Sequence, residues 1–443
     1  MTTKTYKTVT FKGGVHPARD GKDLSRSAAI QEAPLLDEYQ VIVQQNIGAP
    51  PKLLVKKGDE VKKGQMIAEA GGFVSVPLHS PTSGKVKNID RIPGPMGVPT
   101  DAVIITADGK DEWGELMPPL DWKNTDGATL KKRICDAGIV GMGGAAFPAH
   151  VKLSPPPDKK IDYLILNGAE CEPYLTADHR LMLEETEKVL EGAAILGHAL
   201  GVKNVFIGIE TNKEDAIHAL LDKCDAYGVG VVGLKVQYPQ GAEKQLIYAV
   251  TGRKVPAGKL PMDAGCVVQN VGTAAAVTDA VKEGKPLIER ITTVTGEPIK
   301  NPSNWRFRLG TPVSRAIELA GGITQEPGKI ILGGPMMGFA QKSMDVTVMK
   351  NTSGILLLEK SDVIQYQSTA CIRCGRCLSA CPMNLLPGSL SAAIESEKFD
   401  LAAKMNVMDC IECGSCAYIC PAHRPLVQHF RRAKAEIRNR SKK

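Results

Sequence analysis

The chain has no apolar run long enough to cross a bilayer. Its longest, around residues 192–202, falls far short of the roughly 20 residues that a span needs. The opening residues, MTTKTYKTVTFKGG, lack the apolar stretch of a secretory signal, so a chain that stays inside the cell is expected. A basic body is missing too. All of the net charge of +7, from 55 Lys/Arg against 48 Asp/Glu, falls between Arg424 and Lys443, where eight basic residues accompany one Glu. The remainder is formally neutral, which removes any charge-based case for a nucleic-acid-binding surface. The basic tail, 426–443, reads either as a solvated helix end or as a contact with anionic lipid or an acidic subunit. In a contact of that kind each Lys/Arg would contribute ~1 kcal/mol. Cysteine is scarce over most of the chain: Cys135, Cys171, Cys224 and Cys266 are scattered, whereas eight lie between Cys371 and Cys420. A large cytosolic chain has no need of disulfides, so the cluster of eight requires another explanation.

What is present is globular. With 443 residues, 43% apolar and 23% charged, the chain has the size of three or four domains. Residues 1–30 read as an arm of low apolar content. From 31 to 110, short β-like runs such as YQVIVQ and DAVIITA alternate with Gly, Asp and Pro turns, the pattern of a small all-β unit. A charged connector near 111–124 leads to an α/β texture over 120–285. There the strands DYLILNG, KNVFIGIET and GLKVQYP alternate with amphipathic stretches at 179–200 and 213–227. A mixed α+β module follows over 288–350, and the cysteines occupy 365–425.

Two runs carry the strongest chemistry. Cys371, Cys374, Cys377 and Cys381-Pro are spaced C-x2-C-x2-C-x3-C-P, and Cys410, Cys413, Cys416 and Cys420-Pro repeat that spacing. This is the bacterial pattern for [4Fe–4S] ligation, in which three thiolates wrap one cubane and the fourth reaches the other. The expected sets are therefore Cys371, Cys374, Cys377 with Cys420, and Cys381 with Cys410, Cys413, Cys416. Structural zinc would use paired knuckles and leave the Cys-Pro without a role. The 28 residues between Cys381 and Cys410 have helical periodicity, so a mostly helical two-cluster module is expected.

The second feature is the loop Gly141-Met-Gly143-Gly144-Ala-Ala-Phe147-Pro, with Lys152 just beyond it. As a dinucleotide fingerprint it is poor, since no clear strand precedes it and Pro148 interrupts the helix that should follow. The strand DYLILNG, however, ends in Asn167-Gly-Ala-Glu170-Cys-Glu172-Pro, and ligand crevices of open α/β sheets lie at such C-terminal edges. YPQGAE, ending at Glu243, and Asn270-Val-Gly-Thr273 follow. A Gly-rich loop with Lys suits a phosphate and a flat ring, while carboxylates and amides suit sugar hydroxyls.

These residues carry a resemblance. GMGGAAFPAHVK is similar to the flavin loop GRGGAGFPTGLK of the NADH-binding flavoprotein subunit of respiratory complex I, NGAECEP to its NADESEP, and YPQGAE to its YICGEE. With a β unit before it and two ferredoxin runs after it, the order resembles the RnfC family of the Rnf (Rsx) electron transport complexes over essentially the whole chain. The resemblance implies FMN near Gly141, Gly143, Gly144, Lys152, Asn167, Glu170, Asn270 and Thr273. It also implies NAD(H) against Phe147, Glu172 and Glu243. Met142, Ala146, Ala169 and Ala242 depart from the complex I pattern and remove some of its hydrogen-bonding groups.

Residues 55–65 with SPTSGKV resemble a biotinyl/lipoyl-like barrel-sandwich, but the interval 66–79, where a modified Lys would sit, contains none. Residues 288–349 resemble the soluble-ligand-binding β-grasp found beside complex I flavoproteins and read as a spacer between flavin and clusters. The expected fold is thus multidomain: barrel-sandwich, Rossmann-like flavin domain, β-grasp and helical two-cluster ferredoxin module. The expected function is that of a peripheral subunit on the cytoplasmic face of a membrane complex. It would pass electrons between NAD(H), FMN, two [4Fe–4S] clusters and, through other subunits, ferredoxin, with ion transport left to those partners. The alternatives are a cobalamin reductase, in which the same modules occur in another order, and a non-enzymatic electron-transfer adaptor.

Overall fold

A computed structural model describes residues 7–363 and 367–440. Residues 441–443 of the basic tail, and the first two of the 365–425 region, lie outside the described residues. In the N-terminal unit the strand Gly84–Pro93 begins with Gly84 and Val86 inward and Lys85 outward. It pairs antiparallel with Pro99–Ala107, which pairs with Glu38–Ile42. A second sheet of Lys52–Leu53, Met66–Glu69 and Leu78–His79 lies beside it, and Tyr39, Val41, Ile67, Leu78, Val103 and Ile105 fill the shared core. The Lys-free hairpin of this unit turns toward the next domain, where the Phe73 carbonyl meets the His150 ring at 2.9 Å.

The α/β domain is built on four parallel strands in the order Gly230–Leu234, Asn204–Glu210, Tyr163–Gly168, Cys266–Asn270. Both faces are covered, as a parallel sheet requires. Leu164, Leu166 and Val267 join a core with the helices Gly127–Asp136, Thr186–Leu200 and Val271–Lys282. Ile165 and Val268 pack instead on Leu246 and Ile247 of Glu243–Thr251. Thr186–Leu200 and Val271–Lys282 approach so closely that a Cβ on Gly192 would stand 1.9 Å from the Ala274 carbonyl. Only glycine permits that crossing. The amphipathic stretch read at 179–200 is broken into Ala177–Glu184 and Thr186–Leu200. Glu185 leaves the helical conformation at the break and pairs with Arg306 and Lys188.

A six-stranded mixed sheet follows, in the order Ile30–Glu32, Ser303–Arg308, Glu289–Thr295, Gly354–Leu358, Lys329–Leu332, Phe339–Gln341, with Val313–Leu319 packed on it. Its edge strand comes from the N-terminal segment, and Ile30–Glu32 runs parallel to Ser303–Arg308. The same segment is pinned earlier, because Val9 bridges Leu234 and Val15 bridges Tyr238. What composition alone presents as an arm therefore ties three units together.

The cysteine region is helical, with Pro387–Glu395, Phe399–Lys404 and Leu426–Arg440 enclosing Leu390, Ile394, Phe399, Ala402 and Val407. The reading of the C-terminus as a basic tail is corrected here. Leu426, Phe430 and Ala433 of Leu426–Arg440 belong to that core, so the segment is the closing helix of the module. Most of its charge is compensated within the module: Arg431 and Lys434 pair with Glu412 at 2.8 Å, Arg432 with Glu397, Arg440 with Asp400, and Arg424 with Glu395.

Candidate functional site

The strand order makes its topological switch between Tyr163–Gly168 and Cys266–Asn270, the place where a ligand crevice opens beyond the strand ends. The last paired residues across that gap are Asn167 and Asn270. Asn270 Oδ1 accepts the Gly272 amide and caps Val271–Lys282, while its Nδ2 donates to Asp178 at 2.7 Å. Asn167 Nδ2 donates to the Gly241 carbonyl at 2.8 Å, and its Oδ1 accepts from the Ala169 amide. The glycine loop lies against this pair. Thr273 Oγ1 accepts the Met142 amide and donates to the Val140 carbonyl, which pins the loop to the first turn of the helix. A Cβ on Gly143 would meet Asn270 at 3.1 Å, whereas one on Gly144 would meet open space. Gly141, Gly143, Gly144, Asn167, Asn270 and Thr273 are thus brought together.

The charged candidates are placed differently. Lys152 Nζ donates to Glu243 at 2.8 Å and to the Val268 carbonyl at 3.1 Å, so a residue assigned to flavin and one assigned to nucleotide form an ion pair. Glu170, at φ 44°, accepts the Asp178 and His179 amides and caps the helix Ala177–Glu184. Glu172 accepts the Met336 and Met337 amides at 3.0 and 2.8 Å, which latches the strand-end loop to residues 333–338 of the six-stranded unit. Burial pushes its carboxyl up to about 7, against those two amides. Phe147 is half-buried at the loop's end, where its carbonyl accepts the Gly141 amide.

Three contributors escaped sequence reading. Asp178 is pushed up to about 6, first by burial and then by Glu170, while Arg290 opposes the shift. Arg290 holds the Met142 carbonyl at 2.6 Å from the neighbouring unit. Lys22 donates to the carbonyls of Glu170, Glu172 and Leu175. Asp178 sits inside a segment that reads simply as amphipathic helix, and the other two reach the loop from 112 or more residues away, so no local pattern marks them.

Of the cysteines, Cys381, Cys410, Cys413 and Cys416 line one pocket together with Pro382, Leu385 and Phe430, enclosing about 340 Å3 of empty space. Among the described residues no three His, Cys, Asp or Glu side chains converge tightly enough to hold a single metal ion. The four sulfurs therefore surround a volume, which suits a cubane and not one tetrahedral zinc. Burial and then Cys413, Cys410 and Cys381 drive the Cys416 thiol well above its ordinary range, so the set calls for a cationic occupant. Cys377 is raised by burial and also by Cys420 and Cys371, its neighbours across the two runs. Cys371 and Cys374 are exposed.

The pocket faces the switch-point site. Tyr238 Oη donates to the Cys413 carbonyl at 2.7 Å, Gln245 Nε2 to the Pro382 carbonyl at 3.2 Å, and Val15, Tyr238, Cys171, Met336 and Cys413 share one apolar cluster. A glycine-loop crevice coupled to a thiolate cage defines the class of flavin- and iron–sulfur-dependent electron-transfer proteins.

Comparison with known proteins supports each part. Residues 134–279 match the Nuo51 FMN-binding domain, 9–110 the RnfC barrel sandwich hybrid domain, 291–340 the SLBB domain and 363–421 the 4Fe-4S dicluster domain. The chain is 53% identical to the RnfC-type subunit of the proton-translocating ferredoxin:NAD(+) oxidoreductase complex of Clostridium ljungdahlii, over 97% of this chain and 94% of that one. It is 47% identical to the Na(+)-translocating counterpart of Acetobacterium woodii, over 97% of each. An NAD+-reducing [NiFe]-hydrogenase in its H2-reduced state has a TM-score of 0.51 at 15% identity, covering 72% of this chain and 63% of that one, a likeness of fold. The chain belongs to the RnfC family of ion-translocating oxidoreductase complexes. Among the described residues no helix is long and apolar enough to cross a membrane.

Proposed function

We propose that this protein is the NAD(H)-facing electron-transfer subunit of a ferredoxin:NAD oxidoreductase complex, bound at the cytoplasmic face of the membrane through other subunits. Its α/β part is read as a Rossmann-like flavin domain over 120–285 and its six-stranded part as a β-grasp over 288–350. They stand between the barrel-sandwich at 31–110 and the cluster module at 365–425. Bound FMN would supply the conversion between a hydride and single electrons, and two [4Fe–4S] clusters would carry those electrons singly.

The chain's own residues position and exclude. Gly143 and Gly144 leave the crevice floor open to a flat ring, and Asn167, Asn270 and Thr273 fix the backbone around it. Lys152 offers a cation to a phosphate once its pairing with Glu243 is exchanged. Phe147, Glu172 and Glu243 form the nucleotide side. Cys381, Cys410, Cys413 and Cys416 hold the inner cluster, and Cys371, Cys374, Cys377 and Cys420 the outer one, whose exposed ligands Cys371 and Cys374 make it the exit. The observation that carries this reading is the Tyr238–Cys413 contact, which joins the strand-end site to the four-cysteine pocket. Anaerobic reconstitution tests it. The protein should take up about eight irons and one FMN, and NADH should bleach the flavin before the clusters. Flavin binding without any NADH bleaching would leave an electron-transfer adaptor in place of an oxidoreductase.

A further inference from the structure

The loop 169–175 carries Glu170 and Glu172, yet its backbone is held by cations. Lys22 is 7% exposed, and its Nζ donates to the carbonyls of Glu170 at 2.9 Å, Glu172 at 2.9 Å and Leu175 at 2.6 Å. All three ammonium protons are used. Lys213 is 2% exposed and donates to the Ala169 carbonyl at 2.7 Å and to Asn212 Oδ1 at 3.1 Å, with Glu210 at 3.5 Å as its counter-charge. Burying an ammonium group is costly unless it is fully hydrogen-bonded, so two of them behind one loop are a substantial investment.

Their effect follows from peptide geometry. In a trans peptide the carbonyl and the following N–H point in opposite directions. Turning the Ala169 and Glu170 carbonyls toward Lys213 and Lys22 therefore turns the Glu170 and Cys171 amides the other way. Neither amide has an acceptor among the described residues. Glu170 has φ 44°, the left-handed conformation that lets successive amides converge as a nest for an anion. The loop follows the strand Tyr163–Gly168 directly, beside Asn167 and the switch point.

We propose that Lys22 and Lys213 are positioning residues for the flavin site: they hold the loop from behind so that the Glu170 and Cys171 amides receive the electron-rich edge of the ring. The inference rests on the flavin reading above. The two cations also favour the extra negative charge of the ring once it is reduced, so the clamp binds the reduced form more tightly than the oxidised one. Lys22 is delivered by the N-terminal segment that bridges Tyr238 through Val15, so the clamp and the inner-cluster contact share one strand of chain.

The experiment compares the full-length protein with Lys22→Met and Lys213→Gln, each reconstituted with clusters. FMN affinity is read by fluorescence quenching and the flavin midpoint potential by dye equilibration. Either variant should bind oxidised FMN several-fold more weakly. Each should also lose about tenfold of its preference for reduced over oxidised flavin, which for a two-electron couple is about 30 mV lower. Lys213→Arg, which keeps the charge, should recover most of the potential. Variants whose potential stays at the wild-type value, or whose FMN loss merely parallels loss of cluster absorbance and thermal stability, overturn the inference. If Lys22→Met does not fold, the Lys213 pair decides alone. Wild-type protein that binds no FMN would defeat the flavin reading itself, an outcome distinct from equal behaviour of wild type and variants.

Discussion

Tyr238 and Cys413, 175 residues apart, meet through a buried hydrogen bond of 2.7 Å from the phenol to the cysteine carbonyl. Burial and the neighbouring Glu172, Cys171 and Cys413 raise the phenol far above its ordinary range, so it acts only as a neutral donor. The contact fixes the inner thiolate cage against the strand-end site without using a sulfur lone pair.

Tyr238→Phe keeps the ring and removes that donor. A net hydrogen bond contributes about 1 kcal/mol, and a buried carbonyl left unpaired costs ~1–3 kcal/mol. Flavin reduction by NADH should stay within about twofold, because the mutated atom faces the clusters. Electron transfer from flavin to clusters, followed by rapid mixing and freeze-quench spectroscopy, should slow several-fold. An unchanged transfer rate would mean that this contact does not set the spacing.

The two thiolate sets make a sharper prediction. Cys381 lines the pocket of Cys410, Cys413 and Cys416, while Cys420 stands near Cys377. Cys381→Ser should therefore damage the inner cluster, and transfer out of the flavin with it. Cys420→Ser should damage only the outer one and leave flavin-to-inner transfer intact. Iron content and the spectrum of the surviving cluster distinguish the two. Loss of the second-run cluster in Cys420→Ser would uncross the ligation.

Much of this was legible because the chemistry is local. Cysteine spacing of two, two and three residues is dictated by the reach of thiolates around a cubane, and glycines beside a strand end mark close approach. The supports were not legible, since they come from elsewhere in the chain. Lys22 acts on carbonyls 148 or more residues away, and Arg290 on Met142 from another unit. The roles of Glu172 and Lys152 also depend on tertiary partners, Met336 and Glu243, that no spacing announces. Charge dominates the C-terminal residues in the sequence and masks a core face that Phe430 and Ala433 mark at helical spacing.

The latch at Glu172 predicts a pH dependence. Its folded-state value near 7 lies above the ordinary 4.5, so the native state keeps a proton that the unfolded chain releases between those values. Stability from this group is present at low pH and falls as pH rises through about 4.5 to 7, by on the order of 2 kcal/mol. Asp178 and Asp279, each near 6, act in the same direction. Glu172→Gln should flatten the decline in melting temperature between pH 5 and 8. A variant with the wild-type slope would show that the latch is not what titrates.

The closing helix separates two roles for its basic residues. Lys434 donates to the Cys410 carbonyl and pairs with Glu412, and Ala433 is fully buried, so deleting residues 431–443 should strip the inner cluster. Iron should fall by about half or more, with a lower melting temperature, whatever the helix does for partners. Docking has to be tested on charges that carry no structural load. Arg438 is exposed, and Lys442 and Lys443 follow it in the sequence. Arg438→Glu with Lys442→Gln and Lys443→Gln should keep all the iron and full NADH reduction of the flavin. If the helix end docks on an acidic subunit or anionic lipid, this variant should bind membranes more weakly than wild type. Raised salt should reproduce the effect on wild type, because exposed charges are screened within about 8 Å at physiological ionic strength and over less in stronger salt. Full membrane retention of the triple variant, together with salt-insensitive binding of wild type, would limit these basic residues to closing the cluster module.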